Sequence, residues 1–199
     1  MSDFLATMAA SSARRVDAAR QLLSDQDIWQ RALQSAPPPA LQLSPQGFDL
    51  ISEVKLRSPA VGQLATGPQD ITLRVKSYAA AGAAAVSVLT EPDRFEGSLI
   101  HLDQAARALR DTGVPAMRKD FLVHPYQVAE ARLAGAGGIL VIVRMLSREQ
   151  LDALLDAAAK LGLFVLIEAF DEADIEIAAD LVRQHGHKGV PLLVGVNRD

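Results

Sequence analysis

From Phe48 onward the chain repeats one pattern. A short run of consecutive apolar residues is followed by a longer, Ala-rich stretch, then a glycine, then the next run. The runs lie at 49–55, 85–89, 114–118, 138–143, 164–168 and 192–196. The intervening stretches, 71–81, 99–110, 125–134, 147–161 and 171–185, read as helices. Alternating apolar and polar residues would mark strands with one wet face. Apolarity on consecutive residues marks strands buried on both faces, as in parallel sheets. Gly82, Gly113, Gly135, Gly162 and Gly189 stand between helix and next strand, where a left-handed residue ends a helix at no steric cost. Strand starts recur roughly every 25 to 35 residues, the length of a βα unit. The pattern constrains the chain to an α/β fold.

Two architectures fit, an open doubly wound sheet and a (β/α)8 barrel. A dinucleotide-binding open sheet would carry a Gly-rich turn after its first strand, but that strand ends in Glu53-Val-Lys55-Leu-Arg-Ser58-Pro59. Polar residues stand instead at the ends of several strands: Lys55, Thr90-Glu91, Arg118-Lys119-Asp120, Glu168 and Asn197-Arg198. A barrel gathers such ends at one mouth, whereas an open sheet strings them along a line. The expectation is therefore an α/β fold, a (β/α)8 TIM barrel that is incomplete, with six βα units over 48–199 and truncation after strand six. Residues 1–47 differ in pattern and read as an N-terminal helical extension. Residues 4–23 have helical apolar spacing, and a second helix runs over about 27–33 with Ser24 or Asp25 as its cap. Pro37-Pro38-Pro39 then acts as a stiff connector.

Composition removes several function classes. A net charge of −4 and a pI of 5.6 argue against binding nucleic acid through general electrostatics. The absence of cysteine excludes disulfides, thiol nucleophiles and Cys-zinc sites. No run of about 18 apolar residues suggests a membrane span, and 1–20 lacks the plan of a signal peptide. The expected location is the cytoplasm.

The strand ends carry the chemistry. Glu53 and Lys55, two apart on a strand, point to the same face. They are either a buried acid–base pair or a structural ion pair plugging the barrel. Arg118 and Lys119 point to opposite faces, so only one can enter the mouth, and the sequence leaves open which. Glu168 ends the run Phe164-Val-Leu-Ile-Glu168. A carboxylate there is either desolvated, which favours general acid–base work, or exposed at a strand end. Ser58 could help clamp an anion. The loop 90–98 reads as a mobile lid or as a plain surface loop. His185 and His187 fit a solvated helix C-terminus better than a metal site, since no third ligand stands out. With no P-loop, metal motif or dinucleotide fingerprint, neither metal nor cofactor is expected, and the side chains themselves would move protons on an anionic substrate.

Taken in order, Glu53-x-Lys55-x-x-Ser58-Pro59, Ser87-Val-Leu-Thr90, Phe95-x-Gly97-Ser98, Arg118-Lys119-Asp120-Phe121 with Pro125-Tyr126-Gln127, Leu166-Ile-Glu168 and Gly195-Val-Asn197 resemble indole-3-glycerol phosphate synthases. The resemblance covers 48 to the end, and the N-terminal helices are similar to the family's extra segment. It implies a barrel lyase of tryptophan biosynthesis. The enzyme would close, decarboxylate and dehydrate the sugar-phosphate substrate 1-(2-carboxyphenylamino)-1-deoxyribulose 5-phosphate. It implies Lys119 as general acid, Glu168 in later proton transfers and dehydration, and Glu53 as its partner. Lys55 would contact the substrate's phosphate or carboxylate. Ser58 and Asn197 would orient the anthranilate part, and Phe95 and Phe121 would wall its ring. Arg198, the next substrate-binding candidate, follows Asn197 directly, where the family has one residue between them. An open barrel of six strands leaves edges uncovered, so self-association through them is the expected protein contact. The competing expectations are another phosphate-binding barrel enzyme, such as phosphoribosylanthranilate isomerase, and an inactive truncated barrel.

Overall fold

The computed structural model describes residues 3–58, 62–63 and 70–197. In chain order the elements are α1 (Asp3–Leu22), α2 (Asp25–Gln34), β1 (Ile51–Val54), β2 (Arg57–Ser58), β3 (Gly62–Gln63), α3 (Ile71–Ala80), β4 (Ala85–Leu89), α4 (Pro92–Phe95), α5 (Leu99–Leu109), β5 (Ala116–Lys119), α6 (Pro125–Leu133), β6 (Gly138–Ile142), α7 (Arg148–Leu161), β7 (Phe164–Ala169), α8 (Glu172–His185) and β8 (Leu192–Val196). All six predicted strands and all seven predicted helices are present, displaced by at most two residues at their ends. β1 stops at Val54, so Lys55 lies just beyond it. β5 starts two residues later than expected and takes in Lys119. The short antiparallel pair β2–β3 was not expected.

The chain divides into two compact units. One comprises Ala36–Asp120 and Ala134–Gly138. Its strands run in the order β1-β4-β5, and both pairings are parallel. Every residue of β4 is buried, as a strand covered on both faces should be. Helix α3 packs on α5. The other unit comprises Met1–Ser35, Phe121–Leu133 and Ile139–Asp199. It holds β6, apart from its first residue, with β7 and β8 in that order, and β7 and β8 are parallel. On α7 the residues Leu151, Leu154, Leu155, Ala158 and Leu161 are buried, which is one stripe at helical spacing.

Local chemistry fixes the helix ends. Ser24, Asp70, Ser98, Ser147 and Asp171 each accept a backbone N–H from the first turn of the helix that follows. Ser24, one of the two candidates, is the cap of α2, and Asp25 opens the helix. Ser147 and Gln150 form a reciprocal capping box. Gly162 closes α7 at φ 70°, a left-handed conformation that any larger residue would adopt only with strain.

His185 departs from expectation. It is buried, with Nε2 2.8 Å from Asp152 and Nδ1 3.2 Å from Asp156, and Lys188 bonds to Asp156. The carboxylates of α7 thus draw in the imidazole at the end of α8, which the sequence suggested was solvated.

The N-terminal helices are fastened to α6 within their unit. Tyr126, buried in α6, holds its hydroxyl 3.2 Å from the Ala19 carbonyl and 3.0 Å from that of Leu23, at the open end of α1. Gln127 donates to Ser12, and Arg132 donates to the Ser35 carbonyl. Tyr126→Phe should therefore take the hydroxyl donor from the Leu23 carbonyl just past α1, while the Ala19 carbonyl keeps the Leu23 N–H. The expected cost is about 0.5–1.5 kcal/mol, read as a lower urea midpoint with an unchanged m-value.

Candidate active site

In the first unit, Lys119 and Glu53 come together across 66 residues of sequence. The Lys119 ammonium donates to Glu53 Oε2 at 2.6 Å. Lys55 lies 3.0 Å from the other oxygen, Oε1. One carboxylate thus holds two cations. All three side chains are part-exposed, between 27% and 33%. Parallel pairing sets Glu53 beside Ser87, Ser87 beside Met117, and Leu89 beside Lys119. Lys119 therefore sits one side-chain step further along than the row of Glu53, on the same face, and its long stem spans that step.

Arg118 points the other way. It is buried, pairing with Asp120 at 3.1 Å and donating from Nε to the Thr90 hydroxyl at 3.1 Å. The structure thus answers the question the sequence left open: Lys119, not Arg118, faces Glu53.

Burial pushes the Glu53 carboxyl up, but the hydrogen bonds and charges of Lys119 and then Lys55 outweigh it and hold the group below its ordinary range. Glu53 is therefore an anion at neutral pH, suited to stabilising positive charge.

The loop after β4 is tightly folded. Glu91 is fully buried, and its carboxylate accepts the backbone N–H groups of Asp93, Arg94 and Phe95, which form α4. A Cβ on Gly97 would stand 2.4 Å from the Leu89 carbonyl oxygen, so only glycine lets the loop pass there. Glu96 takes the left-handed conformation at φ 54°, and its carboxylate pairs with Arg57 at 3.0 Å. Phe95 is half-buried. Pro92, Asp93, Arg94 and Glu96 are exposed, so the segment is a structured turn at the surface. The capping role of Glu91 was not foreseen, although Glu-Pro ahead of a short helix is a readable start signal.

In the second unit, Glu168 lies near the end of β7, half-buried, and accepts from Asn197 Nδ2 at 3.2 Å. Asn197 is held in turn by its own N–H, which bonds to the Ala169 carbonyl. Phe121 is buried and meets Phe4 of α1 edge to face, with centroids 5.8 Å apart. Arg198 lies outside the described residues. Ser58 is described only as backbone, in β2.

The comparisons decide the family. The model of the indole-3-glycerol phosphate synthase family matches residues 5–198. The chain belongs to this family. It is 50% identical over 151 residues to the indole-3-glycerol phosphate synthase of Nocardioides sp., covering 76% of this chain and 54% of that one. It is 36% identical to the synthase of Opitutus terrae over 184 residues, 89% of this chain and 69% of the other. The synthase of Rhodococcus jostii is 40% identical over 168 residues, 82% of this chain and 60% of its own. The chain thus spans between about half and about two thirds of the length of these curated relatives.

The motifs read from the sequence fall, where described, on the strands β1, β4, β5, β7 and β8 and the loops after them, except Pro125-Tyr126-Gln127, which opens α6. The structure brings Glu53, Lys55 and Lys119 together in one unit and Glu168 with Asn197 in the other. It adds Arg118, Asp120 and Thr90 as a buried network to which no role had been given.

A pH dependence follows from Glu53. Its carboxyl is lowered on folding, so it adds stability above its unfolded-state value, and that stability is lost as pH falls through the folded value. Lys119→Met removes the stronger of its two partners and lets burial raise the group. The Glu53 contribution to acid destabilisation should then shrink or reverse, so that urea midpoints start lower at neutral pH but fall less across an acid pH series than in the parent.

Proposed function

We propose that this protein catalyses the indole-3-glycerol phosphate synthase reaction. In it, 1-(2-carboxyphenylamino)-1-deoxyribulose 5-phosphate gives indole-3-glycerol phosphate, carbon dioxide and water. The observation that carries the proposal is the Lys119–Glu53–Lys55 cluster in a chain of this family. We infer further that the strands belong to a (β/α)8 barrel and that the reaction takes place in the cytoplasm. No helix among the described residues is long and apolar enough to cross a membrane.

In the proposed reaction the aromatic carbon bearing the carboxylate attacks the ketone carbon. Lys119 protonates the ketone oxygen, so the new C–C bond forms as the carbonyl becomes an alcohol. The aromatic ring is left as a cationic iminium. The electrons of the C–CO₂ bond flow into it, releasing carbon dioxide and restoring the ring. Dehydration then needs an acid to release hydroxide and a base to take a proton. Glu168, held by Asn197, acts in these steps with Glu53 as its partner. As an anion, Glu53 orients the Lys119 ammonium and stabilises the cationic intermediate. Lys55 and Lys119 together exceed the charge of Glu53 by one, which favours a substrate carrying phosphate and carboxylate. Lys55 contacts one of those anions. Ser58, Asn197 and Arg198 bind and orient the substrate, and Phe95 and Phe121 flank its aromatic part.

The test is indole fluorescence on incubation with the anilino-ribulose phosphate. The protein should generate it, and Lys119→Ala should slow it by about 10²–10⁴-fold, the usual worth of a positioned acid. Wild-type turnover by Lys119→Ala, or no indole product from the parent protein, would overturn the assignment.

A further inference from the structure

The Arg118–Asp120 pair is where the sequence motif and the proposed chemistry part company. The reaction uses Lys119 alone, yet the residues on both sides of it are charged and buried, each 2% exposed. They share one side of the strand end, opposite to Lys119. Their side chains and Thr90 close a ring. Arg118 Nη2 donates to Asp120 Oδ2 at 3.1 Å, Arg118 Nε donates to Thr90 Oγ1 at 3.1 Å, and Thr90 Oγ1 donates to Asp120 Oδ2 at 2.8 Å. The Thr90 hydroxyl thus accepts once and donates once, which is its natural complement. The Thr90 N–H meanwhile donates to the Lys119 carbonyl at 3.0 Å. One residue of the neighbouring strand end therefore holds the backbone of Lys119 and both flanking side chains.

Stability does not account for such a pair. Two charges taken out of water cost as much as their attraction returns, and an apolar pair of similar volume is often as stable or more so. What the ring does supply is geometry. Asp120 lies one residue past the end of β5, so the pair ties the first residue beyond the strand back onto the strand. That fixes the backbone torsions at Lys119, hence the direction in which its side chain leaves. The ammonium must then reach Glu53 Oε2 at 2.6 Å along a stem of four rotatable bonds. A small turn of the backbone is magnified along such a stem.

We propose that Arg118 and Asp120, joined through Thr90, are positioning residues for Lys119. They act through it by fixing its backbone and do not touch the substrate. The proposal rests on the reading of Lys119 as the general acid.

Two variants test it. Asp120→Asn keeps the shape but removes the carboxylate charge that Arg118 pairs with. The double change Arg118→Met with Asp120→Leu removes both charges and keeps the volume, so it remains informative if the single variant unfolds. Each is measured for kcat and KM of indole formation, and for the rate at which an N-hydroxysuccinimide ester acylates Lys119, followed by peptide mass spectrometry. Lys55, on the same carboxylate, is the internal reference. The proposal expects folded variants with kcat lowered about 10–10²-fold, the scale of a misplacement of roughly 1 Å, and KM little changed. It also expects faster acylation of Lys119 with that of Lys55 unchanged. A folded double variant with parental kcat and parental Lys119 acylation overturns it. So does failure of both variants to fold, which would make the pair a stability element. Failure of the general-acid reading looks different: Lys119→Ala keeps its turnover, or the parent shows none. The acylation rates then decide by themselves whether Arg118 and Asp120 position Lys119.

Discussion

A strand covered on both faces has no room along its length for charge. The fully buried runs Ala85–Leu89 and Gly138–Ile142 show this directly. Ionisable groups are pushed to the strand ends, where the backbone ladder gives out and the connecting loops begin. Everything chemically distinctive here follows from that restriction: Glu53 and Lys55 at the end of β1, Thr90 and Glu91 after β4, Lys119 and Asp120 at the end of β5, and Glu168 near the end of β7. Parallel pairing adds the second half of the constraint. It sets strand ends side by side, so that residues tens of positions apart in sequence become neighbours.

The same restriction explains what could be read without coordinates. Consecutive apolar residues marked the strands, the glycines marked helix ends, and Ser24 or Asp25 marked the start of α2. Those signals are local, and the elements fell where they pointed. The identity of the facing residue at Arg118-Lys119 was not local. Alternation says only that the two side chains part, and the choice depends on register against β4, where Thr90 receives Arg118 and Asp120. The burial of His185 was missed for a similar reason, because its partners Asp152 and Asp156 lie a whole strand and helix away. The β2–β3 pair is only two residues on each side, too short for any periodicity to announce it.

The two ionic assemblies around Lys119 have different jobs by construction. On one side, Arg118 and Asp120 neutralise each other in the dry interior, with the Thr90 hydroxyl taking up further hydrogen-bonding capacity. On the other, Glu53 is shared by two cations and remains part-exposed. The first assembly pairs opposite charges away from water. The second carries surplus positive charge and is open to solvent, and is therefore open to an incoming anion.

That asymmetry bears on how a lysine can serve as an acid near neutral pH. An ammonium held only by solvent is free to point anywhere, and its proton is delivered at random. An ammonium locked into a closed, fully neutralised pair has its proton directed at its own partner. In the proposed reaction Lys119 sits between these extremes. Its backbone is fixed from the buried side, its head is aimed by Glu53, and Glu53 is divided with Lys55. An arriving carboxylate or phosphate that draws Lys55 away would leave Glu53 to Lys119 alone, strengthening the hold on it. A ketone oxygen arriving beside Lys119 would instead compete for its proton directly. In the proposed reaction, sharing one carboxylate between two lysines would let substrate binding at one cation change the hold on the other through a single side chain.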